Sequence, residues 1–250
     1  MEKKYIVFGN QKGGSGKSTL CAMFGNFLAM KGKKLALADF DYQGSLVQAR
    51  KIDLTAHPDK PVLYKVQGFQ ISLKGDHTIE ENFDHVNECL DKIAEGVDVV
   101  VVDTPGNLNE DTLLCIFQRA DVAITPFGYD TTSWESLKLY RKFLRLMKQD
   151  KIETPDHKLI DNPYKAHFDL FFILNKFDSR IGKAIEHELW SDMDLILSNE
   201  GTLAPPIKYL ATMMHINTLY FEKGQLEAVQ NCFQFIYRQI FNYCCPLKLF

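Results

Sequence analysis

Apolar residues fall along this chain in two rhythms. Short, nearly continuous apolar runs occur at Tyr5–Phe8, Lys34–Ala38, Val97–Val102, Asp121–Thr125 and Phe168–Leu174, with a weaker one at Ile207–Leu210. Runs of this kind are what strands buried on both faces require. Between them, apolar positions recur at helical spacing over roughly 17–31, 80–95, 109–118, 133–149, 181–198 and 224–243. In the helix at 133–149, Leu137, Tyr140, Leu144 and Met147 form one stripe, and Lys138, Arg141, Lys142, Arg145 and Lys148 form a basic face. Strands alternating with helices predict right-handed βαβ crossovers and a doubly wound, mainly parallel α/β sheet. Residues 51–79, with Pro58, Pro61, Gly68 and Gly75, read as an irregular insertion with one short strand, Leu63–Val66. Residues 153–167, with Pro155 and Pro163, read as a surface loop.

Composition narrows this picture only modestly. The 250 residues suit one α/β domain, 1–250, and 46% hydrophobic with 24% charged residues is ordinary for a globular protein. A net charge of −3 means that nucleic-acid binding must come from a local patch. The first apolar run ends at Gly9, too short for a signal-peptide core, and no run reaches the roughly 18 apolar residues of a membrane span. A cytoplasmic location is therefore expected. The six cysteines, Cys21, Cys89, Cys115, Cys232, Cys244 and Cys245, form no C-x-x-C pair and read as reduced thiols.

The chemistry lies just after the strands, where ligands of doubly wound sheets bind. The first run is followed by "GNQKGGSGKSTL", residues 9–20, which opens a helix. Gly13, Gly14 and Gly16 let backbone N–H groups converge on phosphate oxygens. Lys17 is placed to reach β- and γ-phosphates, Ser18 to ligate Mg²⁺, and Thr19 to bond the α-phosphate. The loop also carries a second lysine, Lys12, and has Gln11 where the usual pattern has glycine. In "VDVVVVDTPG", residues 97–106, a buried strand delivers Asp103 to hold Mg²⁺ through water, and Thr104-Pro105-Gly106 faces the γ-phosphate. In "LADFDYQGS", residues 37–45, either Asp39 or Asp41 could orient an attacking water, with Asp41 the stronger candidate.

Lys12 through Ser18 resemble the deviant Walker A loop of the ParA/MinD ATPases. "DFDYQGS" is similar to their D-x-D-P-Q-x-S segment, "VVVDTPG" to their Walker B strand, and "APPIKYLATMMHINTLYFEKG" to the segment before their last helix. "NQKGGSGKST" places the resemblance on the ParA branch, over nearly the whole chain. Tyr42 stands where the family has proline, and Ser15 where it has valine. The resemblance implies a P-loop ATPase that binds ATP and Mg²⁺ through Gly13, Gly14, Ser15, Gly16, Lys17, Ser18 and Thr19, with Ser18 and Asp103 at the metal. It implies an ATP-sandwich homodimer in which Lys12 reaches the partner's phosphates, joining Lys17 and Asp41 as the catalytic set. It further implies nonspecific DNA binding and an adaptor, ParB-like or a transfer protein, in partition or positioning of plasmid, conjugative-element or chromosomal DNA.

Several features leave alternatives open. "LNKFD", residues 174–178, matches the N-K-x-D pattern that reads guanine. In the ParA/MinD family an asparagine here contacts adenine, which makes Asn175 the candidate base contact and ATP the favoured nucleotide. Arg180, Lys183 and Lys208 are the DNA-binding candidates by resemblance, Lys208 only loosely; the basic face of 133–149 reads as solvated. The C-terminal helix has an apolar stripe at Phe233, Ile236, Ile240 and Tyr243, but Arg238 and Lys248 are its only cations. It is therefore expected to pack on the core rather than anchor to lipid as in MinD relatives. Cys115 does not match the pattern of the family's iron–sulfur members. A nucleotide-gated interaction factor with little turnover is the alternative from another functional class.

Overall fold

The structure is a computed structural model that describes residues 3–70, 78–106, 111–154, 156–178, 182 and 184–241. Five buried strands form its middle: β1 (Lys4–Phe8), β2 (Leu35–Asp39), β4 (Val99–Asp103), β5 (Val122–Phe127) and β8 (Asp169–Leu174). With β3 (Lys65–Gly68) and β9 (Thr202–Ala204) at the edges they make a seven-stranded sheet of order β3-β2-β4-β1-β5-β8-β9, every pairing parallel. The doubly wound, parallel α/β fold expected from the sequence is the fold observed.

Alternate residues of each strand serve opposite layers, as the period of two dictates. Tyr5, Val7, Val100 and Val102 face α3 (Ile79–Ile93), α4 (Asp111–Gln118), α5 (Thr131–Lys148) and α6 (Ala184–Ser198). Ile6, Phe8, Val99 and Val101 face α1 (Lys17–Met30) and α7 (Gln225–Phe241). Phe24 and Phe27 of α1 meet Phe233 of α7 edge-on at 5.0 and 5.8 Å between ring centres. The expectation that the last helix packs on the core therefore holds through Phe241; Tyr243, Cys244, Cys245 and Lys248 lie outside the described residues. The other four cysteines are free and buried. No helix among the described residues is long and apolar enough to cross a membrane.

Four expectations need correction. Residues 51–79 are not irregular from the start: α2 (Ser45–Ala56) occupies the first part, and the edge strand lies at Lys65–Gly68, two residues beyond its expected place. Ile207–Leu210 forms no strand; only Lys208 makes an isolated bridge, to Phe177, and a 3-10 turn follows at Ala211–Met214. The supposed loop 153–167 holds part of a small antiparallel hairpin, β6 (Lys151–Glu153) with β7 (Leu159–Asp161). Finally, β5 continues past Thr125 through Pro126 to Phe127. Proline is tolerated there because β1 pairs only as far as Ile124, so the missing N–H breaks no ladder bond on that side. The Asn10 amide takes the Pro126 carbonyl instead, at 2.6 Å.

Candidate nucleotide site

The chain leaves β1 at the centre of the sheet and turns through Gly13–Gly16 into α1. Gly14 and Gly16 have φ of +80° and +91°, a region that side chains avoid. A Cβ on Gly16 would stand 2.2 Å from Asn175 Nδ2, so both conformation and space demand glycine. No side chain caps the first N–H groups of α1, which leaves them for an anion with the positive end of the helix behind them. Gly13, Gly14, Ser15, Gly16, Lys17, Ser18 and Thr19 line a cavity of about 400 Å³, closed on the other side by Asp41, Gly106 and Ile216.

Acidic groups converge on Lys17. Its Nζ lies 3.5 Å from Asp103 Oδ1 and 3.7 Å from Asp41 Oδ2. Asp103 is fully buried, and burial pushes its carboxyl up to about 6, against the opposing pull of the Lys17 ammonium and the Ser18 hydroxyl. Asp103 Oδ2 is buried with no hydrogen-bond partner. A buried, underused carboxylate oxygen beside a serine hydroxyl is a hard oxygen donor set of the kind Mg²⁺ takes. Ser18 and Asp103 therefore fit the metal role expected of them. Thr104 is turned inward, donating its Oγ1 to the Phe8 carbonyl at 3.0 Å, while Gly106 reaches the cavity.

Asp39 and Asp41 part company here. Asp39 is buried; its Oδ1 accepts from Asp41 N–H at 3.2 Å, and its Oδ2 from Leu46 and Val47 N–H at 2.9 and 3.2 Å. It ties down the first turn of α2, where the preceding residue, Gly44, offers no side-chain cap. Asp39 is thus neither a surface turn residue nor free to hold a water. Asp41 remains at the cavity.

Lys12 also lines this cavity, but its Nζ is held by two residues that do not. Its Nζ donates to Asp130 Oδ1 at 2.7 Å and to Ser133 Oγ at 2.9 Å. Asp130 also caps α5, accepting from Ser133 N–H at 2.9 Å. Burial pushes the Asp130 carboxyl up, but Lys12 and Ser133 outweigh it and hold it at about 2. Neither Asp130 nor Ser133 is flagged by any sequence motif; both sit where a helix cap is ordinarily found.

A second cavity of about 190 Å³ adjoins the loop, lined by Gly14, Gly16, Thr19, Asn175, Lys176, Tyr209, Leu210, Met213 and Met214. Its apolar wall suits a flat heterocycle. Leu210, Met213 and Met214 line this cavity although no sequence motif gives them a site role; Leu210 lies in the run Ile207–Leu210 that reads as a strand. Asn175 lines this cavity, but its Nδ2 donates to the Ser15 carbonyl at 2.8 Å and its Oδ1 accepts from Lys176 N–H at 2.9 Å. Lys176 Nζ donates to the Gly14 carbonyl at 2.9 Å. Both residues clasp the phosphate loop. Asp178 lies outside this second cavity and lines a neighbouring one with Tyr129 and Trp190, which Gly14, Ser15, Asn175 and Lys176 also border.

Of the DNA candidates, Lys208 is exposed, while Arg180 and Lys183 lie outside the described residues. The basic stripe of α5 is not uniformly solvated: Arg141 is buried and paired with Glu200, whereas Lys138, Lys142 and Arg145 are exposed.

The family model of the ATPase MipZ matches residues 4–133, from the first strand to the start of α5. The chain belongs to that family. It stands on the ParA/Soj-like side of the ParA/MinD-type ATPases, as the motifs imply. The chromosome-partitioning ATPase Soj of Treponema pallidum is 54% identical over 43 residues, 17% of this chain and 17% of Soj. Among solved structures, a plasmid partition protein of Borrelia burgdorferi bound to AMPPNP is similar with a TM-score of 0.68 at 17% identity, over 96% of this chain and 100% of that one. The ATP complex of a Cyanothece McdA variant gives 0.69 at 13% identity, over 96% of each chain. A Mycobacterium smegmatis cobyrinic acid a,c-diamide synthase with bound ATP analogue and magnesium gives 0.66 at 18% identity, over 98% of each. These likenesses show the P-loop fold; the MipZ-family match carries the ATPase classification.

Proposed function

We propose that this MipZ-family chain binds and hydrolyses Mg·ATP, dimerises around it and, as the ATP dimer, holds nonspecific DNA for partition or positioning of a plasmid, mobile element or chromosome. The observation that supports it most is one cavity lined by Lys17, Ser18 and Asp41 beside uncapped helix N–H groups, with the buried Asp103 carboxylate 3.5 Å from Lys17 Nζ. Bound Mg²⁺ supplies charge neutralisation at the β- and γ-phosphates. Ser18 and Asp103 would hold it, Lys17 would move from carboxylates to phosphate, and Asp41 would orient the attacking water. Adenine is favoured over guanine by the family resemblance at Asn175, and among the described residues the base-side cavity has no carboxylate in its lining to accept guanine N–H groups. Asn175 then supports the loop and borders the base. The packing of α7 on the core through Phe241 supports reading that helix as part of the domain rather than as a lipid anchor.

Lys12 is the gate in this reading. Within one subunit it is neutralised by Asp130; in a dimer it would exchange that carboxylate for the partner's phosphates and stabilise transition-state charge there. Lys12→Ala is expected to keep ATP affinity within a few-fold while abolishing ATP-dependent dimerisation and turnover. Light scattering with ATP and Mg²⁺, beside a phosphate-release assay, checks this. A mutant that dimerises and hydrolyses like the wild type contradicts the role. ATP-dependent dimerisation of the wild type without turnover would favour the interaction-factor alternative. The adaptor, ParB-like or a transfer protein, would act on the dimer.

A further inference from the structure

The wall of the base-side cavity is held from an unexpected direction. Residues 209–216 carry its apolar side chains and, at Ile216, a wall of the phosphate cavity. Their near end is held beside the Phe177–Lys208 bridge by Tyr209 N–H donating to the Phe177 carbonyl at 3.0 Å, and Gln225 Nε2 donates to the Thr212 carbonyl at 2.8 Å. Immediately after them the chain is fixed by buried side chains of α1 and α2. Thr218 is fully buried; its N–H and Oγ1 both donate to Asp53 Oδ2, at 2.7 and 2.6 Å. Its carbonyl accepts from Arg50 Nη2 at 3.0 Å. Asn26 of α1 donates to the carbonyls of Asn217 and Tyr220, each at 3.0 Å, and is itself held by the Tyr64 hydroxyl at 2.7 Å. Arg50 stacks over the Tyr64 ring at 4.8 Å.

Arg50 and Asp53, three residues apart, share one face of α2. The other end of the helix, at Ser45, lines the phosphate cavity just after Asp41. A helix of this length is a stiff strut of roughly 18 Å. Buried charged residues are costly unless they are engaged, and here Arg50 Nη2 and the Asp53 carboxylate are engaged with a segment that builds the ligand cavity, although Arg50 Nε is buried without a partner.

We propose that Arg50 and Asp53 are positioning residues for the nucleotide base, which fix the 209–216 wall through Thr218. The inference rests on reading the site as a nucleotide site. Neither residue lines the phosphate cavity, and of the segment they fix Ile216 alone does, whereas Tyr209, Leu210, Met213 and Met214 line the base-side cavity, so their loss should fall mainly on the part of affinity that the base supplies.

The test compares AMPPNP with inorganic tripolyphosphate, which has phosphates and no base, by equilibrium binding with Mg²⁺. Asp53→Ala should weaken AMPPNP by about 10- to 100-fold and Thr218→Val by about 3- to 10-fold, in line with loss of charged and neutral hydrogen bonds respectively. Both should leave tripolyphosphate affinity within about twofold. In turnover the loss should appear in KM, with kcat nearly unchanged. Thr218→Ser keeps both bonds to Asp53 and should behave as wild type. Equal weakening of the two ligands, or no weakening of either, would overturn the inference. Wild-type protein that binds AMPPNP no tighter than tripolyphosphate would overturn the base-site reading itself, a result separable from the first because it needs no mutant.

Discussion

Asp103 shows how much of the site's character one residue carries. In an unfolded chain its carboxyl would titrate near 3.8, whereas in the fold burial pushes it up to about 6. Between those values the folded protein keeps a proton that the unfolded chain has lost. Its contribution to stability therefore falls as pH rises from about 4 to about 6, and stays low above that. Asp103→Asn should make the nucleotide-free protein more stable at pH 7 by about 1–3 kcal/mol and flatten the pH dependence in that window. It should also remove Mg²⁺-dependent turnover. Urea unfolding at pH 5 and pH 7 checks the first part; a less stable Asn variant at pH 7 would contradict it. The residue was legible in the sequence because a continuous apolar strand ends in an aspartate at the phosphate loop's side. Asp39 was not, since two aspartates two apart after one strand look alike until α2 is known.

At the scale of elements, legibility followed burial on both faces. The five central strands announce themselves as apolar runs because nothing else satisfies a strand covered by helices on each side. α2 was missed because it buries Arg50 and Asp53 alongside Leu46 and Ala49, so its inner face is not an apolar stripe. β9 has only three residues, and β6 and β7 are largely exposed, so neither presents a pattern. The reverse error, reading Ile207–Leu210 as a strand, arose because a cavity wall needs apolar residues too. α2 also carries its own prediction. Asp39 supplies its start by binding the N–H groups of Leu46 and Val47. Asp39→Ala should lower unfolding free energy by about 1–3 kcal/mol, the cost of a lost cap and buried unpaired N–H groups. Chemical denaturation measures it, and an unchanged midpoint would show that the helix start is held by something else.

Over the whole molecule, the site lies at the carboxyl ends of β1, β2, β4 and β8, where strands leave the sheet centre in opposite directions. Lys17 lies at the phosphate-loop cavity, while the loop's second lysine, Lys12, is bonded to Asp130. In the proposed function the nucleotide is the switch: ATP would drive the dimer, the dimer would double weak basic contacts to DNA, and hydrolysis would release them. The most direct test is retention on nonspecific DNA at low and moderate salt with no nucleotide, ADP or ATP, for the wild type and Asp41→Ala. Loss of water positioning should slow hydrolysis by about 10²–10⁴ without loss of ATP binding. Retention should then require ATP, last longer for Asp41→Ala than for the wild type, and shrink as salt rises. Equal retention in all three nucleotide states, or a slowly hydrolysing mutant that gains no retention, would contradict the account.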